Sequence, residues 1–233
     1  MARRASTAAA GKPHRAPPAD AGAPAPDSAK RDAIERAARA VFGRLGYARA
    51  PIDQIAGEAG VSTRTLYNHF GGKLGLFSHV LVHGAAEVAD AFEQRLDDGF
   101  DVSSPERSLR VMAEAIVAHR VRFPEHFALV SRLNAERDQF PDALIAAWLE
   151  AGPQRVRALL RSRLAELAAA CGVTLSDPGA AARHLVALST STSFTEPDGS
   201  RPPTETELTE ATLVFARGYG FEALSTSTPG NPA

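Results

Sequence analysis

Eight polar side chains lie close together between positions 62 and 73 of this 233-residue chain. They comprise hydroxyls, two cations, an amide, a phenol and an imidazole: Ser62, Thr63, Arg64, Thr65, Tyr67, Asn68, His69 and Lys73. A guanidinium can read guanine through paired hydrogen bonds, and an amide can read adenine in the same way. Hydroxyl, imidazole and ammonium groups reach phosphate oxygens. The set therefore predicts contacts to both the base edges and the backbone of double-stranded DNA.

The elements around these side chains predict a rigid support for them. Ser62 can cap a helix over 63–70, and Gly71-Gly72 stop that helix. A preceding short helix begins after Pro51 and ends at Gly60, which permits a tight turn. Two short helices joined in this way form a helix-turn-helix, in which the first helix holds the second at a fixed angle in the major groove.

The remainder of the chain also has a helical pattern. Apolar residues recur every three or four positions, and no alternating run indicates a strand. The first helix is predicted from Ser28 to Gly46, and a long fourth helix follows Gly72 and extends to Leu96. Later helices are expected to begin at Pro105, Pro124, Pro141, Pro153, Pro178 and Thr204. The predicted fold class is all-α.

Charge is unevenly divided along the chain, although the formal net charge is only −1. Residues 1–80 contain 12 lysines and arginines against 6 acidic residues, whereas residues 81–233 contain 14 against 21. A basic front joined to an acidic body is typical of a polyanion-binding module attached to a different kind of domain. No apolar run is long enough for a membrane span, and no export signal is recognisable, so we expect a cytoplasmic protein without membrane partners.

Composition also suggests the domain boundaries. Residues 1–28 are rich in Ala and Pro with scattered basic residues, which predicts a disordered basic tail. We expect a helix-turn-helix domain over 29–75, a helical body over 76–224 and a flexible tail over 225–233. Cys171 is the only cysteine, which excludes an internal disulfide.

Residues 30–80 resemble the DNA-binding domain of the TetR family of transcriptional regulators. The resemblance lies in AARAVFGRLGY at 37–47, IDQIAGEAGVS at 52–62 and TLYNHFGGK at 65–73, followed by Leu76-Phe77. It implies an N-terminal three-helix DNA-binding domain with a helix-turn-helix, a linking fourth helix and a C-terminal helical effector and dimerisation domain. It also implies that Thr65, Tyr67, His69 and Lys73 touch the DNA backbone, and that Arg64 and Asn68 vary with the operator.

Three residues depart from the family pattern. Ala50 stands where a threonine often caps the second helix, and Gly72 and Gly75 replace polar residues near Lys73. These glycines are expected to loosen the start of the fourth helix. The C-terminal half is more weakly similar to the AefR-like repressors, through Ala151-Gly152-Pro153 and residues 215–220. The last two helices, about 177–193 and 204–219, match the usual dimer interface.

Other residues suggest a ligand cavity more than catalysis or metal binding. Eight apolar residues could line an effector pocket or form a plain core: Phe92, Met112, Ile116, Phe123, Phe127, Phe140, Leu144 and Trp148. His79 and His83 have the spacing of a metal-binding pair, but no third ligand is near in sequence, so no metal and no cofactor are predicted. His119 and His126 are expected to line a pocket or a surface.

These observations predict a homodimeric transcriptional repressor rather than an enzyme. We expect it to bind a near-palindromic operator and to be released by a small apolar or amphipathic effector. Two alternatives remain open at this point. One is a helical small-molecule-binding protein or enzyme without operator recognition, and the other is an activator built on the same fold.

Overall fold

The computed structural model describes residues 26–190 and 201–221, and regular structure in these ranges is helical throughout. Ten helices occur there: α1 (Pro26–Leu45), α2 (Ile52–Glu58), α3 (Thr63–Phe70), α4 (Lys73–Gly99), α5 (Pro105–Arg122), α6 (Pro124–Ala135), α7 (Asp142–Ala151), α8 (Pro153–Ala170), α9 (Pro178–Thr190) and α10 (Glu205–Tyr219). A short 3₁₀ turn at Arg137–Gln139 precedes α7. The all-α prediction is confirmed, including the helices predicted to begin with proline in their first turn.

The predicted tails lie largely outside the described residues. Only residues 26–28 of the N-terminal stretch are described, and they already belong to α1. None of the helices described is both long and apolar enough to cross a membrane.

A first cluster of buried side chains, the N-terminal core, joins the helix-turn-helix to later parts of the chain. It contains Ile34, Phe42, Ile55, Leu66, Phe70, Leu76, Phe77, Leu129, Leu133, Phe140, Leu144 and Ile145. The rings of Phe77 and Phe140 stack with centroids 4.8 Å apart. Since residues of α6 and α7 help to form this core, the DNA-binding domain packs directly on the body.

A second cluster, the C-terminal core, holds the body together. It contains Phe92, Leu96, Leu109, Met112, Ile116, Leu160, Leu164, Leu167, Leu185 and Phe215, from α4, α5, α8, α9 and α10. The long helix α4 contributes to both cores, from Leu76 near its start to Leu96 near its end.

Two glycines allow very close packing around the middle of α4. A Cβ atom on Gly84 would lie 2.7 Å from Nδ1 of His126 in α6, and one on Gly152 would lie 2.7 Å from the carbonyl oxygen of Ala85. Both distances are shorter than side-chain carbons tolerate, so only glycine fits at these positions without displacing a neighbour. Helix α4 is therefore held at its centre by α6 and by the junction of α7 and α8.

Candidate functional site

Residues at both ends of α3 cap the helix and set its length. The Ser62 side-chain oxygen accepts a hydrogen bond from the Thr65 backbone N–H at 3.1 Å, which satisfies an amide that the helix leaves unpaired. At the other end Gly71 adopts φ +71°, and its N–H donates to the Tyr67 carbonyl at 2.8 Å. The predicted bounds 63–70 are confirmed.

The turn between α2 and α3 fixes the angle between the two helices. Gly60 has φ +67°, and the Val61 N–H donates to the Ala56 carbonyl at 3.0 Å. The Thr63 hydroxyl also donates to a carboxylate oxygen of Asp53, at 3.0 Å. This bond ties the first residue of α3 to the first turn of α2.

One side of α3 is buried and the other faces outward. Leu66 and Phe70 lie in the N-terminal core, whereas Arg64 and Asn68 are exposed and Tyr67 is 49% exposed. Ser62 is also exposed, and Thr63 and Thr65 are half-buried near the start of the helix. Arg64, Tyr67 and Asn68 thus share one accessible face of α3, with Ser62, Thr63 and Thr65 around the start of the helix. This face has the width and chemistry to enter a major groove.

Among the predicted DNA-binding residues, His69 and Lys73 have polar groups that already contact other elements of the protein. The His69 side chain is 17% exposed, and its Nε2 lies 3.3 Å from a carboxylate oxygen of Asp27 in α1. The Lys73 ammonium donates to the Ala48 carbonyl at 3.0 Å and lies 5.0 Å from the Tyr47 ring centroid. Burial lowers the pKa of Lys73 against the opposing charge of Glu136. Lys73 therefore holds the loop between α1 and α2, with two ammonium protons left for other partners.

The three departures from the family pattern have structural reasons. Ala50 is 1% exposed in the N-terminal core, and no side chain caps α2. Gly72 has φ +132°, a conformation that favours glycine. A Cβ on Gly75 would lie only 1.9 Å from the Phe70 carbonyl oxygen. Rather than loosening α4, Gly75 lets α4 begin directly against the end of α3.

A cavity of about 430 Å³ lies in the body, between α4, α5, α6, α7, α8 and α9. Its wall is mainly apolar and includes Val88, Ile116, Phe127, Val130, Trp148, Pro153, Val156, Leu160 and Val186. Polar atoms come from His119, His126, Arg120, Arg157 and Thr190. This size and lining suit a small molecule that is mostly apolar and has a few polar groups.

Two residues that line the cavity each have a buried nitrogen without a hydrogen-bond partner among the described residues. They are His126 Nδ1 and Trp148 Nε1. Burial, reinforced by the charge of Arg39, lowers the pKa of His126 to about 4, so its imidazole is neutral at pH 7. Burial also lowers the pKa of His119, whose Nδ1 lies 2.8 Å from the Ala115 carbonyl. His126 Nδ1 lies against Gly84 of α4.

The structure brings only some of the predicted pocket residues to this cavity. Ile116, Phe127 and Trp148 line it. Phe92 and Met112 are instead buried in the C-terminal core, and Phe140 and Leu144 are buried in the N-terminal core. Phe123 is half-buried at the junction of α5 and α6, beneath Arg122. His119 and His126, which the sequence suggested for a pocket or surface, both lie on the wall.

Fold and site together define an all-helical protein with an N-terminal helix-turn-helix and a helical body that contains a cavity. Residues 34–80 match the model of the bacterial regulatory proteins of the tetR family, and residues 107–220 match the AefR-like transcriptional repressor C-terminal domain. The chain belongs to the TetR family of transcriptional regulators.

Among curated relatives, the chain is 36% identical over 104 residues to the HTH-type transcriptional repressor NicS of Pseudomonas putida, which covers 45% of this chain and 48% of NicS. It is 33% identical over 125 residues to the HTH-type transcriptional activator FasR of Mycolicibacterium smegmatis, which covers 54% of each protein. The chain thus matches about half the length of each of these relatives.

Solved structures match over most of their length. A TetR-family transcriptional regulator from Mesorhizobium loti MAFF303099 is 28% identical, with a TM-score of 0.69 over 84% of this chain and 98% of the other. The Flavonoid-responsive Regulator FrrA is 25% identical, with a TM-score of 0.62 over 84% of this chain and 97% of the other.

Proposed function

We propose that this protein is a dimeric DNA-binding repressor that a small amphipathic molecule releases from its operator. The outward polar face of α3 supports DNA binding, because capped ends and a buried opposite face hold it ready for the groove. Arg64 and Asn68 would read base edges, and Ser62, Thr63, Thr65, Tyr67, His69 and Lys73 would contact phosphates. This role agrees with a family whose members are regulators.

The observation that carries the release mechanism is the position of α6. Leu129 and Leu133 of this helix are buried in the N-terminal core, whereas His126, Phe127 and Val130 line the cavity. A molecule that fits the cavity better in one position of α6 would therefore favour one arrangement of the DNA-binding domain.

Polar contacts along α6 extend its hold on the DNA-binding domain. Arg132 Nε lies 3.5 Å from the Gly43 carbonyl of α1. A Glu136 carboxylate oxygen, just beyond the helix, accepts from the Ala48 N–H at 3.0 Å. Because Lys73 donates to the carbonyl of the same Ala48, movement of α6 would reach the start of α4 through the loop between α1 and α2.

The cavity indicates the chemical class of the effector. Its walls suit an apolar body, and their few polar residues would bond polar groups of the ligand. Arg120 and Arg157 lie on the wall as well and would favour an acidic group on the ligand. The response of FrrA to flavonoids shows that a similar fold serves a small-molecule regulator.

Dimerisation would use α9 and α10. Helix α10 exposes Leu213 by 39% and Val214 by 54%, which are large apolar side chains on one face. Sedimentation velocity should give a dimer for the wild type, and Val214→Glu should shift it toward monomer. The matched change Val121→Glu, at an exposed position of α5, should leave the dimer intact.

Operator binding is tested by selecting duplexes from a random library and measuring the anisotropy of a fluorescent selected site. The wild type should enrich a near-palindrome, with half-sites about 34–36 Å apart. Arg64→Ala should cost about 1–3 kcal/mol and relax preference at one base pair, and Tyr67→Phe should weaken binding to all sequences more evenly. Arg161→Ala, at an exposed arginine of α8, is the charge-matched control. If no sequence is enriched, or both α3 variants bind as wild type, the proposal is wrong.

Effector binding can be followed through the single tryptophan of the chain, because Trp148 lies on the cavity wall. A medium-chain fatty acid, an aromatic carboxylate and a flavonoid are suitable probes. A true effector should change Trp148 emission saturably and lower operator affinity over the same concentration range. Val156→Phe should fill the cavity and abolish both effects, whereas Val121→Phe on the surface of α5 should abolish neither.

The opposite sign of regulation is the second candidate, since the relative FasR is an activator. A reporter fused to the selected operator and its own promoter separates the two. Deleting this protein should raise expression from a repressed promoter and lower it from an activated one.

A further inference from the structure

Three side chains with metal-ligating chemistry meet where the DNA-binding domain joins α4. Glu35 comes from α1, and His79 and His83 lie one turn apart on α4. One ligand atom from each residue lies within 4.8 Å of the others. His79 Nε2 is 2.6 Å from one oxygen of Glu35, and His83 Nδ1 is 3.3 Å from the other.

The cluster is ordered and partly shielded from water. The Glu35 side chain is 11% exposed and that of His79 is 24% exposed, whereas His83 is 49% exposed. The two imidazole rings stack with centroids 5.6 Å apart and an interplanar angle of 13°. Burial acts to raise the pKa of Glu35, but the hydrogen bond with His79 and the charges of His83 and Arg39 keep that pKa below its ordinary value.

The donor set selects a class of metal. Two imidazole nitrogens and one carboxylate oxygen suit Zn²⁺ and its neighbours Co²⁺ and Ni²⁺. Ca²⁺ and Mg²⁺ prefer oxygen ligands throughout. Three protein ligands leave the fourth position of a tetrahedral ion for water, and the exposed side of His83 gives water access to it.

Two arginines surround the same atoms and would compete with a metal ion. Arg39 NH2 lies 3.1 Å from His83 Nδ1 and 3.9 Å from a Glu35 oxygen, and its NH1 donates to Glu87. Arg31 Nε lies 3.5 Å from the Glu35 oxygen that faces His79, and its NH2 lies 3.4 Å from His79 Nδ1. The ligand atoms thus already face a cationic group. A metal ion would take the place of the Arg39 contact to His83, while Glu87 retains the guanidinium.

We propose that Glu35, His79 and His83 bind a divalent transition metal ion of the zinc class and that the ion ties α1 to α4. The site joins α1 of the DNA-binding domain to α4, the helix that contributes to both cores. An ion bound only when α1 and α4 are in this arrangement would stabilise it. Metal would then be a second input, separate from the cavity and from any effector bound there.

Direct binding of the metal alone tests the site. The full chain, treated with chelator and dialysed, is titrated with ZnCl₂ by calorimetry and with CoCl₂ by visible absorption, without DNA. We expect one ion per chain, a tetrahedral Co²⁺ spectrum and a higher melting temperature with Zn²⁺. Glu35→Gln and His83→Ala should each weaken Zn²⁺ binding by more than about tenfold.

Two further variants show where the ion binds. Arg39→Gln should tighten Zn²⁺ binding several-fold because it removes the competing guanidinium. His184→Ala should leave Zn²⁺ binding unchanged, since His184 is an exposed histidine of α9 bonded to the Tyr219 hydroxyl. Circular dichroism confirms that each variant is folded before titration. Absence of saturable Zn²⁺ binding, equal binding by wild type and Glu35→Gln, or no tightening in Arg39→Gln would each overturn the proposal. None of these readouts depends on operator or effector.

Discussion

Helix α3 and the cavity wall differ in how many parts of the chain build them. The outward polar face of α3, called here the recognition face, belongs to a helix of eight consecutive residues, with a serine cap before them and a glycine stop after them. The cavity wall is drawn from six helices between Ala85 and Thr190. Exposed residues of α3 can consequently change without disturbing the fold, and a new DNA sequence can be read at little cost in stability. A change on the cavity wall alters packing between helices.

The two regions are connected through close contacts that only glycine allows. Gly75 lets α4 start against Phe70 at the end of α3, and Gly84 lets His126 of α6 press against the middle of α4. Both glycines lie on the one helix that passes through the two cores. We therefore expect substitutions at these contacts to have larger effects on stability than substitutions on α3 or on the cavity wall.

Gly75→Ala should have the largest effect of the changes considered. Its new Cβ would lie 1.9 Å from the Phe70 carbonyl oxygen, and backbone cannot yield as a flexible side chain does. We expect a loss of more than about 3 kcal/mol in the free energy of unfolding, measured by urea denaturation, together with loss of operator binding.

Gly57→Ala is the matched control for this change. Gly57 is an exposed residue of α2, and nothing lies within 4 Å of the Cβ it would gain. Here alanine should stabilise the protein by about 0.5–1 kcal/mol, because glycine is the poorer helix former. If the two variants were equally stable, the close contact between α3 and α4 would not exist in solution.

The burial of His126 can be tested through the pH dependence of the free energy of unfolding. Its pKa is about 4 in the folded protein, lowered by burial and by Arg39 and His119 against the opposing charge of Glu87. In the unfolded chain the pKa is about 6.5, so the unfolded state binds a proton first as the pH falls. The contribution of the neutral His126 imidazole to the free energy of unfolding is complete above pH 6.5 and is lost progressively as the pH falls to about 4. The total loss is about 3 kcal/mol.

The measurement compares wild type with His126→Asn by urea denaturation at a series of pH values. The difference between their free energies of unfolding should shrink by about 3 kcal/mol between pH 7 and pH 4. Other acidic groups titrate in both proteins and cancel in the difference. His184→Asn, at an exposed histidine of α9, is the control for loss of an imidazole elsewhere in the body. Parallel curves for wild type and His126→Asn would show that His126 is accessible to water.

The same contrast explains which parts could be predicted from the sequence. Ser62, Gly60 and Gly71 act within a few residues of their own positions, so the bounds of α3 could be predicted. Phe92, Met112 and Ile116 have equivalent apolar spacing, yet only Ile116 faces the cavity. Which apolar side chain is core and which is wall depends on how six helices pack together, and periodicity does not contain that information.

Contacts between residues far apart in the chain could not be predicted from the sequence, for a related reason. Glu35 lies 44 residues before His79, and no local spacing links the two. In the sequence Gly75 is only a departure from the family pattern. The structure gives its reason, because the Phe70 carbonyl leaves no room for a side chain there. Both features depend on α1 and α3 folding back against the start of α4, which is a property of the N-terminal core as a whole.

Matched helix caps, one in α3 and one in the helical body, give the smallest expected effect. Ser62 caps α3, and Thr204 caps α10 through a reciprocal pair of bonds with Glu207. Replacing either by alanine should cost about 1 kcal/mol in the free energy of unfolding, because one terminal amide loses its acceptor. The two variants should differ in operator affinity, measured by anisotropy under identical conditions.

Ser62→Ala should weaken operator binding several-fold, since it frays the end of α3 that enters the groove and removes a hydroxyl proposed to contact phosphate. Thr204→Ala, assayed at a concentration where it sediments as a dimer, should bind the operator as wild type does, because α10 packs in the C-terminal core. Equal losses of operator affinity in both variants would mean that general stability, rather than the local order of α3, limits DNA binding. In that case the recognition face would depend on the body as strongly as the cavity does, and the distinction between a locally built surface and a dispersed one would fail.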